Sequence, residues 1–379
     1  MFVKSSIQQE ASDIYNKLLQ SKAFFHQLGN IEFATQPKEI IYRENKLILY
    51  RFRPQVKTVA TTPLLIVFAL INRPDILDFS AEQSFIKGLL QAGRDVYLLD
   101  WGYPSAADHS LSLSTYIAGY LRNCIQEIKS CSRQAQVDLL GICQGGVLSL
   151  CYASLFPEDL RRLVLISTPI DFQTKGDVLS RWAQRAPVER LVKAQGNIPG
   201  PWLANLFRGL RPFQLLGKKY LVLLDQVSRL QPDSTWLQDF FRVEKWLLDT
   251  PDQAGKAFSQ FIQIFYQQNA LLRGKFVLDN YCVDLRSVTT PILNVIARDD
   301  HIVPPRASRI LGKYLPLAVP CQKILPAGHI GIYLSQKTNK RLPKMIAAWL
   351  KKKEVRKSRR DNGRPAKRTD ESRGRRVGG

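Results

Sequence analysis

The segment that most restricts the fold of this chain is a short apolar run followed at once by a glycine-rich turn. Residues 137–140, V-D-L-L, have the pattern of a buried strand, and residues 141–146, G-I-C-Q-G-G, follow without a spacer. Residues 147–155 then have the composition of a helix. This order is typical of a nucleophile elbow, which presents a reactive side chain, here Cys143, at the top of a mainly parallel sheet.

The glycines on either side of Cys143 have a steric reason. The nucleophile of an elbow sits in a strained turn, so side chains at Gly141 and Gly145 would collide with neighbouring backbone. The pattern G-x-C-x-G therefore predicts a cysteine nucleophile at a position where serine is more usual. The alternative is a buried structural cysteine at a tight turn.

Other parts of the chain repeat the alternation of apolar strand, polar turn and amphipathic helix, which is typical of an α/β protein. Most predicted strands are continuous runs rich in Val, Ile or Leu, as parallel strands buried on both faces require. Helices are expected at residues 80–92 and 112–129. The predicted strands lie at residues 64–70, 95–99, 137–140, 163–166, 292–296 and 322–325.

The elbow and the alternation of strands and helices predict an α/β-hydrolase fold, and the composition of one segment predicts a helical cap insertion. The segment between the fourth and fifth strands is rich in Trp, Phe, Gln, Lys and Arg, which indicates a cap over one end of the sheet. The predicted parts are an N-terminal helix and hairpin (1–50, with the hairpin at 39–52), a core (51–171 and 289–350), a cap (172–288) and a disordered basic tail (351–379).

The positive charge of the chain is concentrated at its end. The formal net charge is +23, and residues 351–379 contribute +9 of it through 13 Lys/Arg and 4 Asp/Glu. This tail has almost no apolar residues to offset the entropy cost of ordering, so it is expected to be disordered and to be attracted to anionic surfaces. The alternative is a solvated tail without a specific partner.

Several classes of protein are excluded by composition. The six cysteines form no C-x-x-C pair and the chain has four histidines, so no metal site is expected. The N-terminus lacks the apolar core of a signal peptide, and the longest apolar run, residues 64–71, is far short of the roughly 20 residues that span a bilayer. These features indicate a reduced, cytoplasmic setting.

A thiol at neutral pH needs a base, and two sequence positions supply candidates for a catalytic pair. His329 follows the last predicted strand, where this fold places its general base, and Asp299 and Asp300 follow the strand at 292–296. The order Cys143, aspartate, His329 matches the nucleophile–acid–histidine order of α/β hydrolases. The sequence alone leaves the register of Asp299 and Asp300 open.

At these motifs the chain resembles the polyhydroxyalkanoate synthases. The lipase-like box G-[IV]-C-Q-G-G stands at 141–146, D-H-I-V at 300–303 and G-H-I-G at 328–331. The early position of the box is similar to that of the short PhaC subunit, most like the class III form partnered by PhaE. Further similar pieces are I-N-R-P (71–74), Y-L-L-D-W-G-Y-P (97–104), C-Y-A-S (151–154), G-N-I-P-G (196–200) and E-K-W (244–246).

The resemblance implies polymerisation of (R)-3-hydroxyacyl-CoA, chiefly the 3-hydroxybutyryl thioester, with release of CoA. Cys143 would carry the acyl group as a thioester, His329 would act as base, and Asp300 would orient His329 or help to deprotonate the incoming 3-hydroxyl. The backbone N–H of Gln144 and one near Asn72 would hold the oxyanion. No cofactor is expected, because the CoA thioester is the substrate.

The resemblance also implies a PhaE-type second subunit, with a PhaR-type subunit as the less favoured alternative. A homodimer or a larger hetero-oligomer on polyester granules in the cytoplasm is expected. One rival within the same fold is a cysteine hydrolase or thioesterase, in which water deacylates Cys143. Another rival is a non-catalytic granule or nucleic-acid protein, in which the tail is the working part.

Overall fold

The structure is a computed structural model that describes residues 32–33, 36–57, 59–175, 177–209 and 235–352. The predicted N-terminal helix, the middle of the predicted cap and nearly all of the predicted basic tail lie outside the described residues.

The core of the molecule is an eight-stranded sheet with the order β1-β2-β4-β3-β5-β6-β9-β10. The first two strands pair antiparallel with each other and β2 pairs antiparallel with β4, whereas all other neighbours are parallel. The strands are β1 Lys38–Glu44, β2 Leu47–Phe52, β3 Leu64–Val67, β4 Val96–Asp100, β5 Val137–Ile142, β6 Leu160–Ile166, β9 Ile292–Ala297 and β10 Cys321–Leu325.

The predicted α/β-hydrolase architecture is confirmed, because all six predicted strands and the N-terminal hairpin are present in this sheet. Strands β3, β4, β5 and β9 are buried along their whole length, which explains their unbroken apolar sequences. The prediction for β3 was three residues too long. The strand ends at Val67, and the carbonyl of Phe68 turns away to accept a hydrogen bond from the Trp101 indole at 3.1 Å.

Helices cover both faces of the sheet. Helices α1 and α12 bury their apolar sides against one face, and α1 packs so closely that a Cβ on Gly88 would lie 2.6 Å from Cγ of Pro343. Helices α2 and α3 cover the other face. These helices are α1 Phe85–Gln91, α2 Arg122–Ser132 (preceded by a π-helix, Thr115–Leu121), α3 Gln144–Leu155, α10 Pro305–Arg309, α11 Gly331–Leu334 and α12 Gln336–Lys351.

The region predicted as a helical cap is largely helical but ends in a hairpin that the sequence analysis missed. Strands β7 and β8 pair antiparallel across a two-residue turn in which Asp279 has a left-handed backbone, a conformation that aspartate tolerates. This hairpin packs on core helix α3, where Ser154 bonds the backbone of Asp284. The described elements are α4 Val178–Arg185, α5 Val188–Gln195, α6 Gly200–Gly209, α7 Thr235–Leu248, α8 Gly255–Phe261, a π-helix Ile262–Gln267, α9 Ala270–Arg273, β7 Lys275–Leu278 and β8 Tyr281–Asp284.

Within the described part of the chain, no helix combines the length and the apolar character needed to cross a bilayer.

A buried ion cluster lies inside the sheet, at the amino end of β5. Asp138 is fully buried and bonds Arg94, itself 1% exposed, at 2.6 Å, and it also accepts from Nε of Arg161 at 2.9 Å. Burial raises the pKa of Asp138 despite the two arginines. Asp138 and the two arginines can therefore stay ionised in this buried position only because each charge has a partner of opposite sign.

We expect Asp138→Asn to destabilise the protein by about 3–5 kcal/mol, because it leaves Arg94 as a buried cation without its counter-charge. The measurement is the free energy of unfolding from urea denaturation. Asp299→Asn is the matched control, since Asp299 pairs with Arg298 on the surface. Equal stabilities for the two variants would show that the buried cluster is not held by its charges.

Candidate active site

The candidate site lies at the carboxyl ends of the parallel strands, the edge at which open α/β sheets place their ligands. Cys143 follows β5, Asp300 follows β9 and His329 follows β10. Residues 70–73, called here the 70–73 loop, follow β3, the neighbour of β5.

Cys143 occupies a strained turn between β5 and α3. Its φ of 53° and ψ of −121° lie outside the regions that a non-glycine residue favours, and its N–H bonds the carbonyl of Ile166 at 2.9 Å. A Cβ on Gly141 would lie 2.5 Å from the Gly146 Cα, and a Cβ on Gly145 would lie 2.3 Å from the Val67 carbonyl oxygen. The predicted steric need for glycine at both positions is confirmed.

Asp300 and His329 form a buried pair beside the elbow. Nδ1 of His329 lies 2.7 Å from Oδ2 of Asp300, and the two side chains are 9% and 1% exposed. Oδ1 of Asp300 accepts the backbone N–H groups of Ile302 at 2.9 Å and Val303 at 2.8 Å. Asp299 is instead exposed and paired with Arg298. The structure thus brings Asp300, rather than Asp299, to the histidine.

The electrostatics of the pair favour an ionised aspartate and a basic histidine. Burial alone would lower the pKa of His329, but the charges of Asp300 and Cys143, and hydrogen bonds to both, raise it well above its usual value. Burial likewise opposes ionisation of Asp300, yet His329 and two backbone N–H groups lower the pKa of Asp300. Cys143 therefore faces an imidazole that retains its proton strongly.

The two residues predicted to supply oxyanion donors lie on connected segments. Gln144 begins α3, so its N–H has no intrahelical partner. Its side-chain oxygen accepts the N–H of Leu70 at 2.9 Å, which joins the elbow to the 70–73 loop. Asn72, on that loop, has a left-handed backbone with φ of 64°. The oxyanion role of both backbone groups stays a prediction.

Two tyrosines and an aspartate near the site were not anticipated from the sequence. Burial and the Cys143 charge raise the pKa of Tyr333, and burial, Asp177 and Cys143 together raise the pKa of Tyr266. Asp177 caps helix α4 and lies near enough to Asp300 for their charges to interact. Tyr333 stands one helical turn after His329, a spacing that could have indicated it. Nothing local in the sequence indicates Tyr266 or Asp177.

Family comparisons agree with this architecture. The α/β hydrolase fold family matches residues 63–336. A solved structure from Sulfolobus solfataricus, provisionally described as a lipase, is 16% identical with a TM-score of 0.51, over 83% of this chain and 98% of that chain. The fold and the elbow define an α/β-hydrolase-fold protein in which cysteine takes the nucleophile position.

Relatives with higher sequence identity show which family of α/β-hydrolase-fold proteins this chain belongs to. Residues 3–89 match the family described as the poly-beta-hydroxybutyrate polymerase (PhaC) N-terminus. Poly(3-hydroxyalkanoate) polymerase subunits PhaC from Thiocystis violacea and Allochromatium vinosum are each 44% identical, over 90% of this chain and 96% of the relative. The PhaC subunit of Synechocystis sp. is 44% identical, over 86% of this chain and 87% of the relative. The chain belongs to the poly(3-hydroxyalkanoate) polymerase PhaC family, which confirms the resemblance.

We expect Asp300→Asn to lower the pKa of His329, because the substitution removes the nearest anion that stabilises the imidazolium. The measurement is an NMR pH titration of the His329 ring protons, assigned with His329→Gln. Asp299→Asn, which removes an exposed carboxylate from the neighbouring position, should leave that pKa in place. A His329 pKa that is unchanged by Asp300→Asn would contradict the pairing.

Proposed function

We propose that this chain transfers (R)-3-hydroxyacyl groups, chiefly 3-hydroxybutyryl, from CoA to a growing polyester through a thioester on Cys143. The observation that carries the proposal is a cysteine on a strained turn, facing a buried Asp300–His329 pair. Membership of the PhaC family makes the chain a polymerase subunit, and this geometry supplies a mechanism for it.

In the first step, Sγ of Cys143 attacks the thioester carbonyl and its proton passes to His329. The negative charge that develops on the carbonyl oxygen is held by the N–H of Gln144 and by an N–H of the 70–73 loop near Asn72. The tetrahedral intermediate then collapses, the bond to the CoA sulfur breaks, and the CoA thiolate takes the proton from His329. Because thioester exchange is nearly balanced, the acyl group remains transferable.

In the second step, the 3-hydroxyl of another acyl group gives its proton to His329 and attacks the Cys143 thioester. An ester bond forms, the bond to Sγ breaks, and the Cys143 thiolate takes the proton from His329. An alcohol is a far weaker acid than a thiol. This step therefore needs the added basicity that Asp300 gives to His329. Both carboxylate oxygens of Asp300 already accept hydrogen bonds, and the side chain is 1% exposed. Asp300 therefore acts through His329 rather than on the hydroxyl directly.

The proposed reaction needs no cofactor, because the CoA thioester supplies the activated acyl group. It does need exclusion of water, which would otherwise deacylate Cys143 and make the protein a hydrolase. The segment after β6 lies close to the site, since the charges of Asp177 and Cys143 both reach Tyr266. Exclusion of water from Cys143 by this segment would favour transfer to an acyl hydroxyl over transfer to water.

The proposed assembly is a hetero-oligomer with a PhaE-type subunit, with a PhaR-type subunit as the alternative, on cytoplasmic polyester granules. It is supported by the family membership and by the names of the relatives, which describe them as polymerase subunits. Basic residues that follow the fold are proposed to contact anionic surfaces. Helix α12, which precedes them, contains no Asp or Glu and exposes the side chains of Lys337, Lys340, Arg341 and Lys344.

We expect the chain co-expressed with a PhaE-type subunit to convert (R)-3-hydroxybutyryl-CoA into free CoA and insoluble polyester. Cys143→Ala should give neither product, because no acyl-enzyme can form. CoA release and polymer mass are measured on the same samples. Release of CoA together with soluble 3-hydroxybutyrate would establish the hydrolase instead. Absence of CoA release with PhaE-type and PhaR-type partners alike would contradict the proposal.

We expect Asp300→Asn to retain the first burst of CoA but to slow elongation by about 10²-fold or more, in the range of general-base contributions. The thiol can still lose its proton to the less basic His329, whereas the 3-hydroxyl cannot do so efficiently. Quenched-flow CoA release separates the two phases. Asp299→Asn should behave as wild type, and a stall in that variant alone would assign the acid to Asp299.

A further inference from the structure

Three of the sequence pieces similar to the family meet at one place beside the nucleophile, and two of them have no part in the proposed chemistry. The I-N-R-P piece forms the 70–73 loop and the start of the following turn, and E-K-W lies near the end of α7. The G-N-I-P-G piece precedes and begins α6. All three converge on residues 246–253, called here the cap strap.

The cap strap makes three hydrogen bonds to the 70–73 loop. The Trp246 indole N–H donates to the carbonyl of Arg73 at 2.7 Å, and the Thr250 hydroxyl donates to Oδ1 of Asn72 at 2.8 Å. The Gln253 amide donates to the carbonyl of Leu70 at 2.9 Å. All three cap side chains are at least 93% buried. Three of the four loop residues thus accept a hydrogen bond from a cap side chain.

The cap strap is itself fixed by close backbone contacts. Ile198 and Gln253 exchange a pair of backbone hydrogen bonds, each 2.9 Å long. A Cβ on Gly200 would lie 1.7 Å from the Thr250 carbonyl oxygen, so a side chain there would push the cap strap away. The N–H of Gly200 also bonds Asp252 at 2.8 Å. This explains why glycine ends the G-N-I-P-G piece.

The far side of the 70–73 loop is held by the core. Arg73 pairs with Asp100 at the end of β4, with Nη1 and Oδ1 2.6 Å apart, and its guanidinium lies 4.4 Å from the ring centre of Tyr103. The Tyr103 hydroxyl donates to Asp249 of the cap strap at 2.8 Å. With the bond from Leu70 to Gln144, the loop is clamped between elbow, core and cap.

Asn72 has a left-handed backbone, with φ of 64°. Asparagine adopts this conformation more readily than most residues other than glycine, and its surroundings select it here. The bond from Thr250 holds the side chain of this same residue. Loss of that bond would let the backbone near Asn72 relax.

We infer that Thr250 and Gln253, with Trp246, are positioning residues that hold the 70–73 loop in the conformation needed to bind the oxyanion. The inference rests on the proposed function. Its consequence is that the oxyanion hole is complete only while the cap strap is docked, so acyl transfer depends on a seated cap.

The test uses the chain co-expressed with its partner subunit and single-turnover CoA release from (R)-3-hydroxybutyryl-CoA. Removal of an oxyanion donor outright costs about 10²–10³-fold in rate, so misplacement of the loop in Thr250→Val should cost about tenfold. The loss should appear in the maximal single-turnover rate, with the substrate concentration for half-maximal rate nearly unchanged. Thr250→Ser keeps the hydroxyl and should restore the rate.

Thr290→Val is the matched control. The Thr290 hydroxyl is buried and has no hydrogen-bond partner within the described residues, so this substitution has the same volume change and removes no bond. It should acylate as fast as wild type. Gln253→Met, which keeps the length of the side chain and removes its donors, should slow acylation as Thr250→Val does.

Alkylation of Cys143 by iodoacetamide distinguishes a displaced loop from a damaged nucleophile, because displacement at a saturated carbon develops no oxyanion. We expect alkylation to be unchanged in Thr250→Val and Gln253→Met. Wild-type acylation rates in both variants, or an equal loss of alkylation and acylation, would overturn the inference while leaving the proposed function intact. Absence of CoA release from the wild-type complex would instead overturn the proposed function.

If Thr250→Val fails to fold, as judged by thermal melting, Gln253→Met and Trp246→Phe decide the question with the same two assays.

Discussion

The close approach of the elbow to the end of β3 is the constraint on which the site depends. Gly145 touches the carbonyl of Val67, so α3 begins directly against the strand that leads into the 70–73 loop. This contact fixes the positions of Cys143, the N–H of Gln144 and the loop relative to one another before any substrate binds. A methyl group at Gly145 would have to displace either the helix or the loop, and both carry parts of the site.

The parts of the site that the sequence predicted are those that follow buried strands. Parallel strands covered on both faces need unbroken apolar runs, so β5, β9 and β10 could be predicted from the sequence. The residues that follow these strands had to lie at one edge of the sheet. The strand pattern could not decide between Asp299 and Asp300, because the turn after β9 determines which carboxylate points inward. The hairpin β7–β8, Tyr266 and the cap strap depend on contacts between distant residues, which leave no local pattern.

In the proposed mechanism, the buried Asp300–His329 pair would serve two proton transfers of different difficulty. Asp300 is ionised in a nearly dry position because His329 and two backbone N–H groups replace its water. That charge makes the imidazole a stronger base than an exposed histidine. Deprotonating a thiol needs little of this basicity and deprotonating the 3-hydroxyl needs far more, so under the proposed mechanism the pair would contribute most to elongation.

A polymerase and a hydrolase of this fold share the nucleophile, the base and the acid, so the difference between them must lie in what reaches the acyl-enzyme. Here the loop expected to complete the oxyanion hole is held by the cap strap through three hydrogen bonds. If that segment were displaced, the loop would lose three of its supports. Under the proposed mechanism, a site opened to water in this way would stabilise an oxyanion poorly, which would disfavour hydrolysis without any group that repels water.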